Sequence, residues 1–140
     1  MAIQLNPYLS FADAQAREAM EFYASVLGGE LIVMTVGDMG TEGPLAAQVM
    51  HAQLEVPGGL MLMGADAPPE MLQVTFGDNV SVSLSGGQDD ADRLRRWFSG
   101  LSEGGTVRQP LEAAPWGDEF GMLTDRFGIG WLVNIAGAAS

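Results

Sequence analysis

The sequence contains HAQLEVPGGLMLM at residues 51–63 and, 69 positions later, FGMLTDRFGIGWL at residues 120–132. In each segment two apolar stretches flank a short turn that contains glycine, the pattern of a β-hairpin. The two hairpins predict that one structural unit occurs twice in the chain. Their alignment pairs Leu54 with Leu123 and Gly59 with Gly128.

A helical pattern precedes the first hairpin. Apolar residues recur at helical spacing between Ala16 and Leu27, after the candidate N-cap Asp13. Gly28 and Gly29 follow, and glycine commonly ends a helix. This region predicts one amphipathic helix.

A second helical pattern follows 75 positions after the first. Asp89 or Asp90 is its candidate N-cap, and Gly104 with Gly105 is expected to end it. The agreement in order between the two regions supports a duplication. At this spacing the counterparts are Leu9 and Leu84, Ser10 and Ser85, Ala16 and Ala91, Phe22 and Trp97, and Tyr23 and Phe98.

Further strands complete each module. Glu30–Thr35 and residues 106–111 are short strand candidates after the helices. The first strand should bury Leu5, Leu9 and Phe11 against its helix and place Gln4, Asn6, Tyr8 and Ser10 on the other face. Val80, Val82 and Leu84 alternate similarly in residues 79–84.

The predicted fold is therefore α+β, with two βαβββ modules in a single domain spanning residues 1–140. Module one covers about 1–65, a linker about 66–78, and module two about 79–137. The linker contains Pro68 and Pro69 and has no clear periodicity.

Composition excludes several classes of function. The chain has 18 acidic and 6 basic residues and a net charge of −12, which repels phosphate backbones and predicts no nucleic-acid partner. No apolar run is long enough to span a membrane, and residues 1–11 lack the features of a signal peptide. The sequence has no cysteine, in keeping with a cytoplasmic location.

His51 is the only histidine, and strand alternation places it beside Gln53 and Glu55. An imidazole titrates near neutral pH, which suits general acid–base catalysis, although a hydrogen-bonded polar residue is the simpler interpretation. The sequence contains no GxSxG elbow, P-loop or GxGxxG motif. It also lacks a glycine-rich strand-to-helix loop that would suggest a nucleotide or methyl-donor cofactor.

Three segments resemble the PhnB-like branch of the glyoxalase/bleomycin-resistance/dioxygenase (vicinal oxygen chelate) superfamily. They are PYLSFADAQAREAMEFYASVLGGEL (7–31), HAQLEVPGGLMLMG (51–64) and WGDEFGMLTDRFGIGWLVN (116–134), and the resemblance covers nearly the whole chain. Arg126 departs from the pattern, since relatives commonly have proline there. The resemblance implies a curved, cup-shaped mixed sheet with helices outside, usually in a homodimer.

The resemblance also implies where a metal would bind. Tyr8 stands at the position of the first ligand, and Met63 and Leu132 stand where an acidic residue is expected. The strand at residues 79–84 contains neither histidine nor carboxylate. Divalent ions of the usual kinds need harder ligands than these, so we expect no tightly bound metal and no other cofactor.

The favoured function is small-molecule binding of the glyoxalase/bleomycin-resistance type, with enzymatic activity left open. The alternatives are a lyase or isomerase in which His51 moves a proton, with or without an atypical metal, and an interaction module without a ligand. We expect a small ligand, mainly apolar or aromatic and not strongly anionic, because no arginine lies on the polar face of the first or fifth strand. Trp131 is expected in the core. The candidate ligand-binding residues are Tyr8, His51, Met63, Trp116, Asp118 and Leu132.

Overall fold

The computed structural model describes residues 3–70 and 72–137. The chain divides into two compact units, Met1–Thr75 (unit 1) and Phe76–Ser140 (unit 2). The described residues of each unit form one α-helix and one four-stranded sheet. The predicted domain limits at residues 1 and 140, and residue 71 of the predicted linker, lie outside the described residues.

Unit 1 has the strand order β1-β4-β3-β2, with β1 parallel to β4 and the other pairs antiparallel. Helix α1 packs on one face of this sheet and contacts β2, β3 and β4. A short 3-10 helix, Gly37–Met39, lies between β2 and β3. The elements are β1 (Tyr8–Phe11), α1 (Ala16–Leu27), β2 (Glu30–Thr35), β3 (Val49–Val56) and β4 (Leu60–Asp66).

Unit 2 repeats this topology in the order β5-β8-β7-β6. Helix α2 contacts all four strands and buries an apolar stripe that includes Leu94, Trp97, Phe98 and Leu101. A 3-10 helix, Gln88–Asp90, leads into it. The elements are β5 (Ser81–Gly86), α2 (Ala91–Ser102), β6 (Thr106–Ala113), β7 (Glu119–Thr124) and β8 (Gly130–Ile135).

The strand register confirms the duplication. Tyr8 pairs with Met63 in unit 1, and Ser83 pairs with Leu132 in unit 2. Ser83 follows Tyr8 by 75 positions and Leu132 follows Met63 by 69, which are the two spacings of the sequence repeat. Gly59 and Gly128 also share a positive φ of 87° at equivalent turns. The α+β class with two βαβββ modules is thus confirmed.

The first and fifth strands are shorter at their starts than predicted. β1 begins at Tyr8, so Gln4 and Asn6 lie outside it, and Leu5 is fully exposed. β5 begins at Ser81, and Val80 is 78% exposed. The expectation that Leu5 and Val80 pack against helices was wrong because neither residue reaches the paired part of a sheet.

The N-cap expected at Asp13 was also wrong. Asp13 has a left-handed φ of 56°, and the N-cap position of α1 is Gln15, which makes no side-chain capping bond. Instead, the Ala16 N–H donates to Oδ1 of Asp66 at 2.9 Å. Asp66 is the last residue of β4 and is buried, and its Oδ2 accepts a bond from the Val49 N–H at 2.7 Å.

Other predicted limits agree well with the structure. β2 has the predicted bounds, Gly28 caps the end of α1, and Asp90 is the N-cap of α2. Neither of the two helices in the described part of the chain is long and apolar enough to cross a membrane.

Candidate functional site

The sheet of unit 1 has a face opposite α1 that combines aromatic, polar and methionine side chains. Tyr8 pairs with Met63, and Met63 pairs with Gln53 across β3 and β4. Because side chains alternate along strands, these three lie in one row on the same face. Tyr8 is 50% exposed. We call this surface open face 1; it comprises Tyr8, Ile32, Met34, His51, Gln53, Glu55, Met61 and Met63.

A chain of hydrogen bonds crosses open face 1. The Tyr8 Oη atom lies 3.1 Å from His51 Nδ1, and the two ring centroids are 5.6 Å apart. His51 Nε2 lies 3.4 Å from Gln53 Oε1, a long and therefore weak bond. Gln53 Nε2 donates to Glu55 Oε1 at 3.0 Å.

Matching donors with acceptors assigns a direction to each hydrogen bond in this row of side chains. A carboxylate can only accept hydrogen bonds, so the Gln53 side chain points its amide nitrogen toward Glu55. The amide oxygen of Gln53 then points toward His51. The His51 Nε2 atom therefore carries a proton, and in neutral His51 the Nδ1 atom accepts from the Tyr8 hydroxyl. Burial raises the pKa of Tyr8, so the phenol keeps the proton that it donates.

Unit 2 has the corresponding surface, open face 2, opposite α2. Leu132 pairs with Met122, and Asn134 pairs with Phe120 on the neighbouring strand. The alternate residues of β8, such as Trp131, are buried. Open face 2 comprises Ser81, Ser83, Phe120, Met122, Thr124, Leu132 and Asn134.

Trp116 lies beside open face 2 in the turn between β6 and β7. Its side chain is 60% exposed and packs edge-to-face on Phe120, with ring centroids 5.5 Å apart. Gly117 follows with a φ of 100°, a backbone conformation that glycine adopts readily. The turn thus presents a large aromatic surface to solvent.

Asp118 holds this turn to the end of β8. Its Oδ2 atom accepts a bond from Asn134 Nδ2 at 3.0 Å, and its Oδ1 atom accepts the Gly137 N–H at 2.8 Å. The bonds from Asn134 and Gly137 lower the pKa of Asp118, because they stabilise the charged form. Both carboxylate oxygens therefore already have partners within the protein.

The predicted site residues fall into two groups. Tyr8, His51 and Met63 lie together on open face 1. Trp116, Asp118 and Leu132 belong to unit 2, the first two in the β6–β7 turn and the third on open face 2. Trp131 is in the core as expected, with 1% exposure, and its Nε1 atom donates to Asp125 at 2.9 Å.

Sequence reasoning missed Arg108, since it looked for cations only on the first and fifth strands. The Arg108 Nε atom donates to Thr124 Oγ1 at 2.7 Å, which places this arginine at open face 2. The register between β6 and β7 shifts between Val107 and Gln109. Before this shift Thr106 pairs with Thr124, so alternation along β6 places Arg108 on the same face as both threonines, and the shift changes the face only from Gln109 onward.

Each unit has a surface cleft. The cleft of unit 1, about 340 Å³, lies between the segment before β1 and the β3–β4 hairpin and is lined by residues that include Asn6, Glu55 and Met61. The cleft of unit 2 measures about 150 Å³, and its lining includes Asp78, Ser81, Arg108, Met122, Thr124 and Leu132.

The positions where a metal would be expected do not carry suitable donors. Tyr8 faces Met63 and Ser83 faces Leu132, so the four side chains offer a phenol, a thioether, a hydroxyl and an aliphatic group. Hard divalent ions prefer carboxylate and carbonyl oxygens, and zinc, nickel and iron also take imidazole. Among residues 3–70 and 72–137, no three His, Cys, Asp or Glu side chains come together in a group.

Comparison with known proteins gives consistent similarities. The family described as 3-demethylubiquinone-9 3-methyltransferase matches residues 4–134. The protein PA1353 from Pseudomonas aeruginosa is 36% identical, with a TM-score of 0.79 over 98% of this chain and 100% of that one. A putative 3-demethylubiquinone-9 3-methyltransferase, PhnB protein, from Bacillus cereus is 24% identical, with a TM-score of 0.70 over 96% and 100%.

The fold extends to more distant proteins. A glyoxylase/bleomycin resistance protein/dioxygenase domain from Frankia sp. EAN1pec is 14% identical, with a TM-score of 0.68. The alignment covers 100% of this chain and 96% of that domain. At this identity the similarity concerns the fold alone.

Proposed function

This chain belongs to the PhnB-like 3-demethylubiquinone-9 3-methyltransferase family of the glyoxalase/bleomycin-resistance/dioxygenase superfamily, and from that membership we propose that it binds a small molecule. The proposed binding does not use the divalent metal that metal-dependent enzymes of the superfamily hold. The donor set at Tyr8, Met63, Ser83 and Leu132 supports this part of the proposal.

The contact between Tyr8 and His51 on open face 1 carries the proposal. A half-exposed phenol ring beside an imidazole offers both an aromatic surface and polar atoms. Met63 lies opposite Tyr8, and a flexible thioether adapts to ligands of different shape. These groups suit a small, mainly apolar or aromatic ligand with one polar edge.

Trp116 is the second proposed contact. Its packing on Phe120 fixes one edge of the indole and leaves much of the ring in solvent. Leu132 would add apolar surface, whereas the bonds to Asn134 and Gly137 leave Asp118 mainly a positioning role for the turn.

The family description names a methyl transfer, but the strand-to-helix connections do not suit a methyl-donor cofactor of the nucleotide type. The connection from β1 to α1, residues 12–15, contains no glycine. The connection from β5 to α2 passes through a 3-10 helix rather than a glycine-rich loop that opens directly into the helix. We therefore propose no methyl transfer.

A lyase or isomerase that uses His51 is not favoured. General acid–base catalysis needs a ring nitrogen within hydrogen-bonding reach of the substrate. Both ring nitrogens of His51 instead face protein partners, Tyr8 Oη and Gln53 Oε1. Catalysis by His51 would require one of these contacts to break.

We test the proposal by calorimetry with a neutral aromatic ligand found by fragment screening. Trp116→Ala should weaken binding about two- to thirteen-fold, the effect of losing about 0.5–1.5 kcal/mol of aromatic contact. Tyr8→Phe should weaken a ligand that bonds to the hydroxyl while leaving stacking intact. Melting curves establish that each variant is folded.

Phe76→Ala is the matched control, since Phe76 is another exposed aromatic residue, 55% exposed, outside both groups of site residues. It should leave affinity unchanged. Unaltered affinity in both folded site variants would contradict the proposed contacts.

A further inference from the structure

We propose that the unit 2 cleft around Arg108 binds the carboxylate of a small monoanion, whose apolar part lies over Met122 and Leu132. This inference rests on the proposed small-molecule binding and deepens it by naming the charge class of the ligand. It modifies the expectation of a ligand that is mainly apolar, because it adds one negative charge at a defined position.

Arg108 has hydrogen-bonding capacity to spare. Its Nε atom is held by Thr124 Oγ1 at 2.7 Å, which fixes the plane of the guanidinium. A guanidinium has five N–H donors, and within residues 3–70 and 72–137 no further bond is made by Arg108. The two terminal nitrogens can therefore meet both oxygens of a carboxylate, the geometry in which arginine recognises this group.

Arg93, Arg95 and Arg126 already have partners among the described residues. Arg95 forms ion pairs with Asp92 and Glu119 at 3.0 and 2.6 Å. Arg93 lies 4.7 Å from the Trp97 ring centroid, and Arg126 donates to the Glu103 carbonyl. In the described part of the chain Arg108 forms no salt bridge, although it lines a cleft.

The walls of the cleft suit an amphipathic ligand. Ser81 and Thr124 supply hydroxyl groups near Arg108, and Met122 with Leu132 supplies adjoining apolar surface. A volume of about 150 Å³ is smaller than the roughly 300–1,000 Å³ of pockets that enclose drug-sized ligands. The cleft therefore holds only the head group of the ligand, and the rest of the ligand lies along open face 2.

The surrounding charge favours a single negative charge over two. Asp78 also lines the cleft, and the whole chain has a net charge of −12. Each added negative charge on the ligand is repelled by this field. A monocarboxylate therefore fits better than a phosphate dianion.

The test compares para-fluorobenzoate with its neutral isostere para-fluorobenzamide by fluorine NMR titration, and phenyl phosphate, which contains no fluorine, is measured as the dianion by its competition with para-fluorobenzoate. The wild-type protein should bind the acid about tenfold tighter than the amide, the scale of a charge-assisted bidentate contact. Phenyl phosphate should bind more weakly than the acid. Arg108→Gln should abolish the difference between acid and amide.

Arg96→Gln is the matched control, because it removes the same charge from an exposed position on α2. In this variant the ratio of acid affinity to amide affinity should stay within about twofold of the wild-type ratio, as expected for the loss of a screened surface charge. Circular dichroism melting establishes that both variants are folded.

The inference would be overturned by equal binding of acid and amide by the wild type, by a preference that persists in Arg108→Gln, or by one that Arg96→Gln also removes. No binding of the acid at millimolar concentration would do the same. These failures are distinct from failure of the proposed function, whose test uses a neutral aromatic ligand and variants of Tyr8 and Trp116.

Discussion

Asp118 shows how a single carboxylate holds a functional turn in place. Its bonds to Asn134 and Gly137 lower its pKa in the folded protein. A depressed carboxyl pKa stabilises the folded state above the ordinary aspartate pKa, and this contribution is lost as pH falls through the lower, folded value. The turn that carries Trp116 is thus anchored by a charge.

We expect Asp118→Asn to lower the free energy of unfolding at neutral pH, because the amide cannot accept at both positions. The difference from the wild type should begin to shrink below about pH 4, the ordinary aspartate pKa, and should disappear as pH falls through the lower pKa of the folded-state carboxyl. Urea unfolding from neutral pH to below about pH 4 measures this difference in the free energy of unfolding. Asp89→Asn is the matched control, because it removes the charge of an exposed aspartate. A difference that stays constant with pH would contradict the assigned role.

At the scale of elements, a pair of glycines lies between the helix and the next strand in each unit. The second glycine of each pair lets that strand approach the backbone of its neighbour closely. A Cβ on Gly29 would meet the Glu55 carbonyl, and a Cβ on Gly105 would meet the Thr124 carbonyl. These two contacts occupy equivalent positions in the two units. In unit 1 the pair caps the helix and brings β2 against its neighbouring strand. In unit 2 the C-cap is Glu103, and the pair that follows brings β6 against its neighbour.

Gly28 and Gly29 allow a matched comparison. Both have positive φ, 78° and 94°, but a Cβ on Gly28 meets nothing within 4 Å. Gly28→Ala should cost about 1–3 kcal/mol of stability from backbone strain. Gly29→Ala should cost at least about 1 kcal/mol more, because it adds a collision with backbone. Denaturant unfolding of both variants tests this, and equal losses would show that strain alone matters.

Local sequence patterns predicted the helices and strands well, but they could not predict details that depend on long-range contacts. The bounds of β2 and the hairpin turns at Gly59 and Gly128 follow from periodicity and turn chemistry within a few residues. The acceptor for the first amide of α1 is Asp66, 50 positions away, so the local candidate Asp13 was misleading.

In the candidate site, too, contacts between neighbours along one strand were predictable, and contacts between distant residues were not. Alternation placed His51 beside Gln53 and Glu55, and the side-chain bonds confirm that neighbourhood. Its contact with Tyr8 joins residues 43 positions apart, and the strand order that allows it came only from the family resemblance. The bond from Arg108 to Thr124 joins residues 16 positions apart, and the pairing of β6 with β7 that brings them together is not encoded in a local pattern.

At the scale of the whole molecule, metal content is the first prediction. We expect elemental analysis of dialysed protein to find no stoichiometric zinc, nickel, iron or manganese, because the side chains at the expected positions are poor ligands for them. Protein purified without chelators is the sample to use. Stoichiometric metal that disappears on replacing Tyr8 or His51 would show that the site has been misplaced.

Assembly is the second prediction at this scale, and we propose a homodimer in the cytoplasm. Each four-stranded sheet ends in two edge strands, β1 and β2 in unit 1 and β5 and β6 in unit 2. Pairing between subunits protects such edges from water. Sedimentation at micromolar concentration should report twice the 14.8 kDa chain mass, and a monomer would overturn the proposal.

Asp66 has a consequence for how the chain is made. During synthesis α1 leaves the ribosome before residue 66 does, so its first amide meets this acceptor only after β4 has also emerged. The same carboxylate also holds the start of β3, which means that helix and hairpin are secured by one late residue. Unit 2 has Ile135 at the equivalent position, buried and unable to accept a bond, so only the first half of the duplication has this dependence on the order of translation.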